Sequence, residues 1–154
     1  MIKEFENLRD DEVEVLLDAP VYVAILIAGA DGDIDKSERK EAIEVARNKQ
    51  SRAREQLADY FKKVGERFED RFNTLVESLP DDADERMSAI VAELRKLNFI
   101  FKKLDKNFTI KLYASLKDLA KKIAEASGGI MGYLSVSYEE KKMMELKMIN
   151  DPSL

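Results

Sequence analysis

The chain has 154 residues, with 26 basic and 31 acidic side chains, a net charge of −5, and no cysteine, histidine or tryptophan. These counts exclude a disulfide framework, a thiol nucleophile and thiolate or imidazole metal sites, and they remove the commonest general base. A hydrophobic share of 45% beside 37% charged residues is that of a globular chain, and the length suits one domain over 1–154.

The acidic start MIKEFENLRDDE has no signal-peptide pattern. Val13, Leu16 and Leu17 predict a short first helix that stops before Pro20. Pro20 then suits the first turn of the next helix, where its missing N–H would be unpaired anyway. Val21 to Ala28 is apolar on every side, the pattern of a rod at the centre of a bundle. The uncharged run around it, Ala19 to Ala30, has twelve residues. A membrane span needs roughly 20, so a cytoplasmic protein is expected.

Gly29 and Gly32 are placed to end this helix in left-handed conformation. Asp35 is a good N-cap for a helix starting at Lys36, Glu38 completes a capping box, and Ile34 suits the hydrophobic staple. Leu57, Phe61, Val64, Phe68, Phe72, Leu75 and Leu79 recur at helical spacing and mark one face of a long amphipathic helix, ended by Pro80 and Asp81-Asp82. A second stripe runs Met87, Ile90, Val91, Leu94, Leu97, Phe101 and Leu104. A third runs Leu112, Leu116, Leu119, Ile123 and Ala126, and a fourth runs Val136, Met143, Leu146 and Ile149. Met143, Met144 and Met148 belong to that last helix as packing residues, and Asn150 to Leu154 reads as a frayed tail.

No segment alternates as a strand does. The expected fold is all-α, a compact bundle of six to eight helices. A faint repeat runs through it. Ile27-Ala28-Gly29-Ala30-Asp31-Gly32 is echoed by Ile123-Ala124-Glu125-Ala126-Ser127-Gly128, and Ile34 to Glu38 by Val136 to Glu140. The echo suggests two pseudo-symmetric helical-hairpin halves.

Asp31, Asp33, Asp35 and Glu38 carry the chemistry of the first loop. Hard cations take several oxygen ligands from a sharply turning backbone, and Gly32 permits the turn, so these four carboxylates could hold Ca²⁺ or another hard divalent cation. The loop is not an EF-hand. With Asp31 as position one, the sixth residue is Lys36 where glycine is needed, and the twelfth is Ala42 where the bidentate Glu belongs. A turn followed by a helix cap accounts for Asp35 and Glu38 equally well, and leaves Asp31 and Asp33 unaccounted for.

Asp31-Gly32-Asp33-Ile34-Asp35-x-x-Glu38, after an apolar helix ending in small residues, resembles the TerB-like (tellurite resistance protein B-like) family. The glycine-rich Gly128-Gly129 to Tyr133 and the helix start Val136-Ser137-Tyr138-Glu139-Glu140 extend the resemblance. It implies a non-enzymatic, stress-associated protein with an acidic loop at Asp31, Asp33, Asp35 and Glu38 for metal or a protein partner. It also implies association with a membrane-protein complex at its cytoplasmic face. The second loop departs from the first in lacking the acidic triplet.

The charge is uneven. Nine basic residues and two acidic ones lie between Arg95 and Lys122, a net of +7, so the rest carries −12. Lys96, Lys102, Lys103 and Lys106 are the residues through which an ion-independent adaptor would contact an acidic protein or membrane surface. Phe99, Phe101, Phe108 and Tyr113 are interleaved with this window, but Phe101 falls on the apolar stripe, and nucleic acid is not the expected partner. The missing thiol and imidazole argue against an enzyme.

Overall fold

Helix α1 (Asp10–Ala28) is the axis of the structure. The computed structural model of the chain describes residues 2–30, 34–52, 55–127 and 143–154. In chain order follow α2 (Lys36–Arg52), α3 (Ala58–Ser78), α4 (Ala83–Arg95), the single turn α5 (Leu97–Ile100) and α6 (Lys106–Ser127). Short 3-10 turns lie at Lys3–Phe5, Glu55–Leu57 and Phe101–Lys103. Helix α1 packs against α3, α4 and α6, while α2 lies across α3 and α6. Among the described residues there is no strand, and five helices of 13 residues or more carry the bundle. The expected count was six to eight. The second loop of the sequence echo, including the start at Val136, lies outside the described residues. No helix among the described residues is long and apolar enough to cross a membrane.

The all-round apolar segment is central, as its pattern predicts: residues 16–29 are buried without interruption. The stripe on α3 also faces inward, with Phe61, Val64, Phe68, Phe72 and Leu75 buried. Burial of one large apolar side chain contributes about 1.5–3 kcal/mol, so this face alone fixes α3 against α1.

One boundary differs from expectation. The chain does not stop before Pro20; α1 runs through it. A proline inside a helix leaves the carbonyl four residues earlier without its amide donor. Here that carbonyl belongs to Leu16, and the buried Tyr60 hydroxyl of α3 donates to it at 2.7 Å. Tertiary structure thus supplies the hydrogen bond that local structure cannot.

The C-terminal segment differs too. Its described part, 143–154, is helical at Met143 and Met144 and then breaks into turns rather than continuing as a helix. Leu146 has φ 48°, a left-handed backbone that non-glycine residues rarely adopt. Complete burial of its side chain offsets that strain. The tail is tied down, not frayed at its start: the Asn150 amide donates to the Asn98 side chain at 2.7 Å, and Asn98 Nδ2 donates to the Met148 carbonyl at 3.0 Å.

Candidate functional site

Aspartates start three of the helices. Asp82 Oδ2 accepts from the Glu85 amide at 3.0 Å, and Asp105 Oδ2 accepts from the Phe108 amide at 3.1 Å. Asp35 Oδ1 accepts from the Glu38 amide at 2.7 Å in the same way. A side-chain oxygen at this position satisfies an amide that has no partner within its own helix. The N-cap predicted for Asp35 is therefore present, and one of its two carboxylate oxygens is committed to it. Glu38 is half-buried one turn into α2. Asp31 and Asp33 lie outside the described residues. Among the described residues no cluster of three or more acidic side chains could hold a metal ion.

Gly29 closes α1, but not in the left-handed form expected of it: its φ is −100°. Its lack of a side chain serves close approach. A Cβ there would stand 2.8 Å from Arg86 Nη2 and 3.1 Å from the Ile34 side chain. Arg86, buried on α4, donates from Nη2 to the Gly29 carbonyl at 2.9 Å and from Nη1 to the Asp81 carbonyl at 3.2 Å. A cation at a helix C-terminus complements the dipole and satisfies a carbonyl the helix leaves open. The acidic loop thus departs from a clamped helix end. Arg86 stands four residues before Ile90 and eight before Leu94, on the buried face of α4, so its spacing points inward. Its charge hid this, and only the arrival of α1 at α4 supplies the carbonyl it caps.

The basic window is partly consumed by internal pairing. Lys96 Nζ lies 3.0 Å from Glu93. Lys103 Nζ reaches the buried Glu12 at 2.8 Å. Lys122 lies 2.9 Å from Asp118, which Lys49 of α2 also meets at 2.7 Å. Lys106 is exposed at the start of α6 and enters no ion pair among the described residues. Lys102 stands 5.5 Å over the ring of Phe99. That phenylalanine is 71% exposed, whereas Phe101, Phe108 and Tyr113 are buried. Phe99 falls off the stripe Leu94, Leu97, Phe101 and Leu104, so its exposure was legible in the spacing.

Ion pairing sets the response to pH. A hydrogen bond from Arg67 holds the Glu14 carboxyl below the usual range. The Arg9 amide, followed by the Lys103 ammonium, does the same for Glu12. At Asp118 burial pushes upward, and Lys49 and Lys122 together outweigh it. Carboxyls depressed in the folded state stabilise it above their unfolded value near ~4 and lose that contribution as pH falls further. Burial pushes the Tyr60 hydroxyl well up. A raised tyrosine contributes fully below about pH 10 and loses that contribution above it, because the unfolded chain ionises first. Thermal scans should therefore give a nearly constant Tm from about pH 5 to pH 9, since no histidine titrates, with a decline below ~4 and another above ~10. A step near pH 6.5 would contradict this account.

Comparison with protein-family models, with curated proteins and with solved structures finds no match to this chain.

Proposed function

We propose that this protein is a non-enzymatic helical docking module that engages an acidic protein through the corner around Phe99. The observation that carries the reading is an exposed phenyl ring with the Lys102 ammonium 5.5 Å from its centroid, in a segment that also carries Lys96, Lys103 and Lys106. An aromatic anchor supplies the apolar area that dominates many interfaces, and surrounding cations steer an acidic surface onto it. Lys96 and Lys103 already face Glu93 and Glu12, so Lys102 and Lys106 are the charges this contact uses first.

The test is a photo-crosslinking side chain placed at residue 99 and, as control, at the exposed position 62. Adducts should form from position 99, weaken about tenfold on Lys102→Glu, and fade as salt rises from 0.05 to about 0.3 M. Equal adducts from both positions, or indifference to charge reversal, would count against the docking corner. Capture by anionic vesicles in place of protein would move the reading to the membrane surface.

The TerB-like resemblance supports a second reading, in which Asp31, Asp33, Asp35 and Glu38 bind a hard cation weakly and the chain serves a stress-associated membrane-protein complex. What favours it in the geometry is that the Asp35 cap uses Oδ1 alone and seats that carboxylate where the acidic loop joins α2. Titration with Ca²⁺ and Mg²⁺ should then give heat that Asp33→Asn removes. Absence of heat at millimolar ion ends the cation reading without touching the docking corner.

A further inference from the structure

Helix α2 is the least apolar of the long helices. Its 17 residues include four apolar ones, Ala42, Ile43, Val45 and Ala46. So thin a face cannot fill the space behind it, and a cavity of about 230 Å³ remains between α2 and the wall formed by α1, α3 and α6. Pro20, Ile43, Phe61, Val64, Phe68 and Leu119 form an apolar wall on one side, and polar groups make up the larger share of its exposed lining. Charges stand around this lining. Arg47 is paired with Glu69 at 3.2 Å, Lys49 with Asp118 at 2.7 Å, and Glu66 with Lys63 at 4.0 Å. Asp70 also lines the cavity and enters no ion pair among the described residues.

Two features therefore select one sign of charge. A carboxylate without a counter-ion attracts a cation, and aromatic rings attract an ammonium and not an anion. Size narrows the choice. An apolar cavity of about 150 Å³ admits a benzene ring, so this one has room for a single ring or a short alkyl chain with a head group. We propose that the cavity beneath α2 is a binding site for a small organic ammonium ion carrying one aromatic ring or short alkyl chain. Its apolar body lies among Phe61, Phe68 and Leu119, and its ammonium is held by Asp70. The site is independent of the Phe99 corner.

The full chain, labelled with ¹⁵N, would be titrated with phenethylammonium chloride, 2-phenylethanol and 3-phenylpropanoate, following the amides of Ala46, Val64, Gly65 and Leu119. Phenethylammonium should give saturable shifts at these amides. It should bind about fivefold more tightly than the alcohol, the margin of a partly exposed ion pair, and more tightly still than the anion. Asp70→Asn, at an exposed position, should bring the ammonium down to the affinity of the alcohol. Ala46→Leu should abolish binding of all three by filling the space. If that variant fails to fold, Asp70→Asn decides the matter alone. Equal affinity for the three probes, preference for the anion, insensitivity to Asp70→Asn, or no saturable shift up to about 10 mM would each overturn the proposal.

Discussion

Asp18→Ala is expected to destabilise the fold by about 3 kcal/mol, the largest effect of any single polar substitution considered. Asp18 lies in the buried stretch of α1, between two arginines of α3. Arg71 approaches it as a fork, Nε to Oδ1 at 3.1 Å and Nη2 to Oδ2 at 2.9 Å, and Arg67 Nη2 reaches Oδ1 at 3.0 Å. A bidentate guanidinium–carboxylate pair is among the stronger polar contacts, and removing one partner leaves a charge desolvated without compensation. Arg67 keeps Glu14, at 2.7 Å, so the loss falls mainly on Arg71. In a chain of this size the change corresponds to a Tm lower by roughly 6–12 °C. Urea unfolding checks it: the midpoint should fall while the slope stays constant. Asp18→Asn keeps the shape and one acceptor oxygen and should cost about half as much. A loss below about 1 kcal/mol for Asp18→Ala would mean that the α1–α3 ion cluster contributes no more than a surface pair.

Tyr60→Phe should cost about 2 kcal/mol although it removes a single oxygen atom. The hydroxyl is the donor to the Leu16 carbonyl that Pro20 leaves open, and the site is wholly buried. A buried acceptor stripped of its partner loses its hydration without replacement. The two residues should therefore be coupled. On a Pro20→Ala background the amide of residue 20 can bond to Leu16, and Tyr60→Phe should then cost about 1 kcal/mol less than in the native chain. A double-mutant cycle read by urea unfolding measures this difference. Strict additivity would show that the hydroxyl does not substitute for the missing amide.

Much of the helical framework was readable because burial and periodicity coincide. Phe61, Val64, Phe68 and Phe72 recur with the helical period, and the period alone names the face that must leave water. The same logic set Phe99 outside its stripe, and that residue is the exposed one. Asp35 was readable as a cap for a local reason: its oxygen reaches an amide three residues away, with no help from the rest of the chain. Three local rules misled. Pro20 reads as a helix boundary when only neighbours are considered, since the compensating donor comes from Tyr60 in another helix. Gly29 reads as a left-handed cap, whereas the space it leaves is taken by Arg86 from α4. Met143, Leu146 and Ile149 have helical spacing, yet the chain turns at Leu146 to bury that side chain.

The basic window shows the same division at the surface. Its charge of +7 is a property of the sequence, but how much of that charge faces solvent is a property of packing. Glu12 comes to Lys103 from the start of α1, and Lys49 comes to Asp118 from α2. By itself the sequence determined the helical class, the inward faces and the Asp35 cap, because each depends on residues within a few positions of one another. Only the tertiary structure decided which breaks are bridged, which cations are spent on buried acids, and where α2 leaves space unfilled. Those outcomes depend on donors and acceptors that are distant in the chain and meet only when the helices pack.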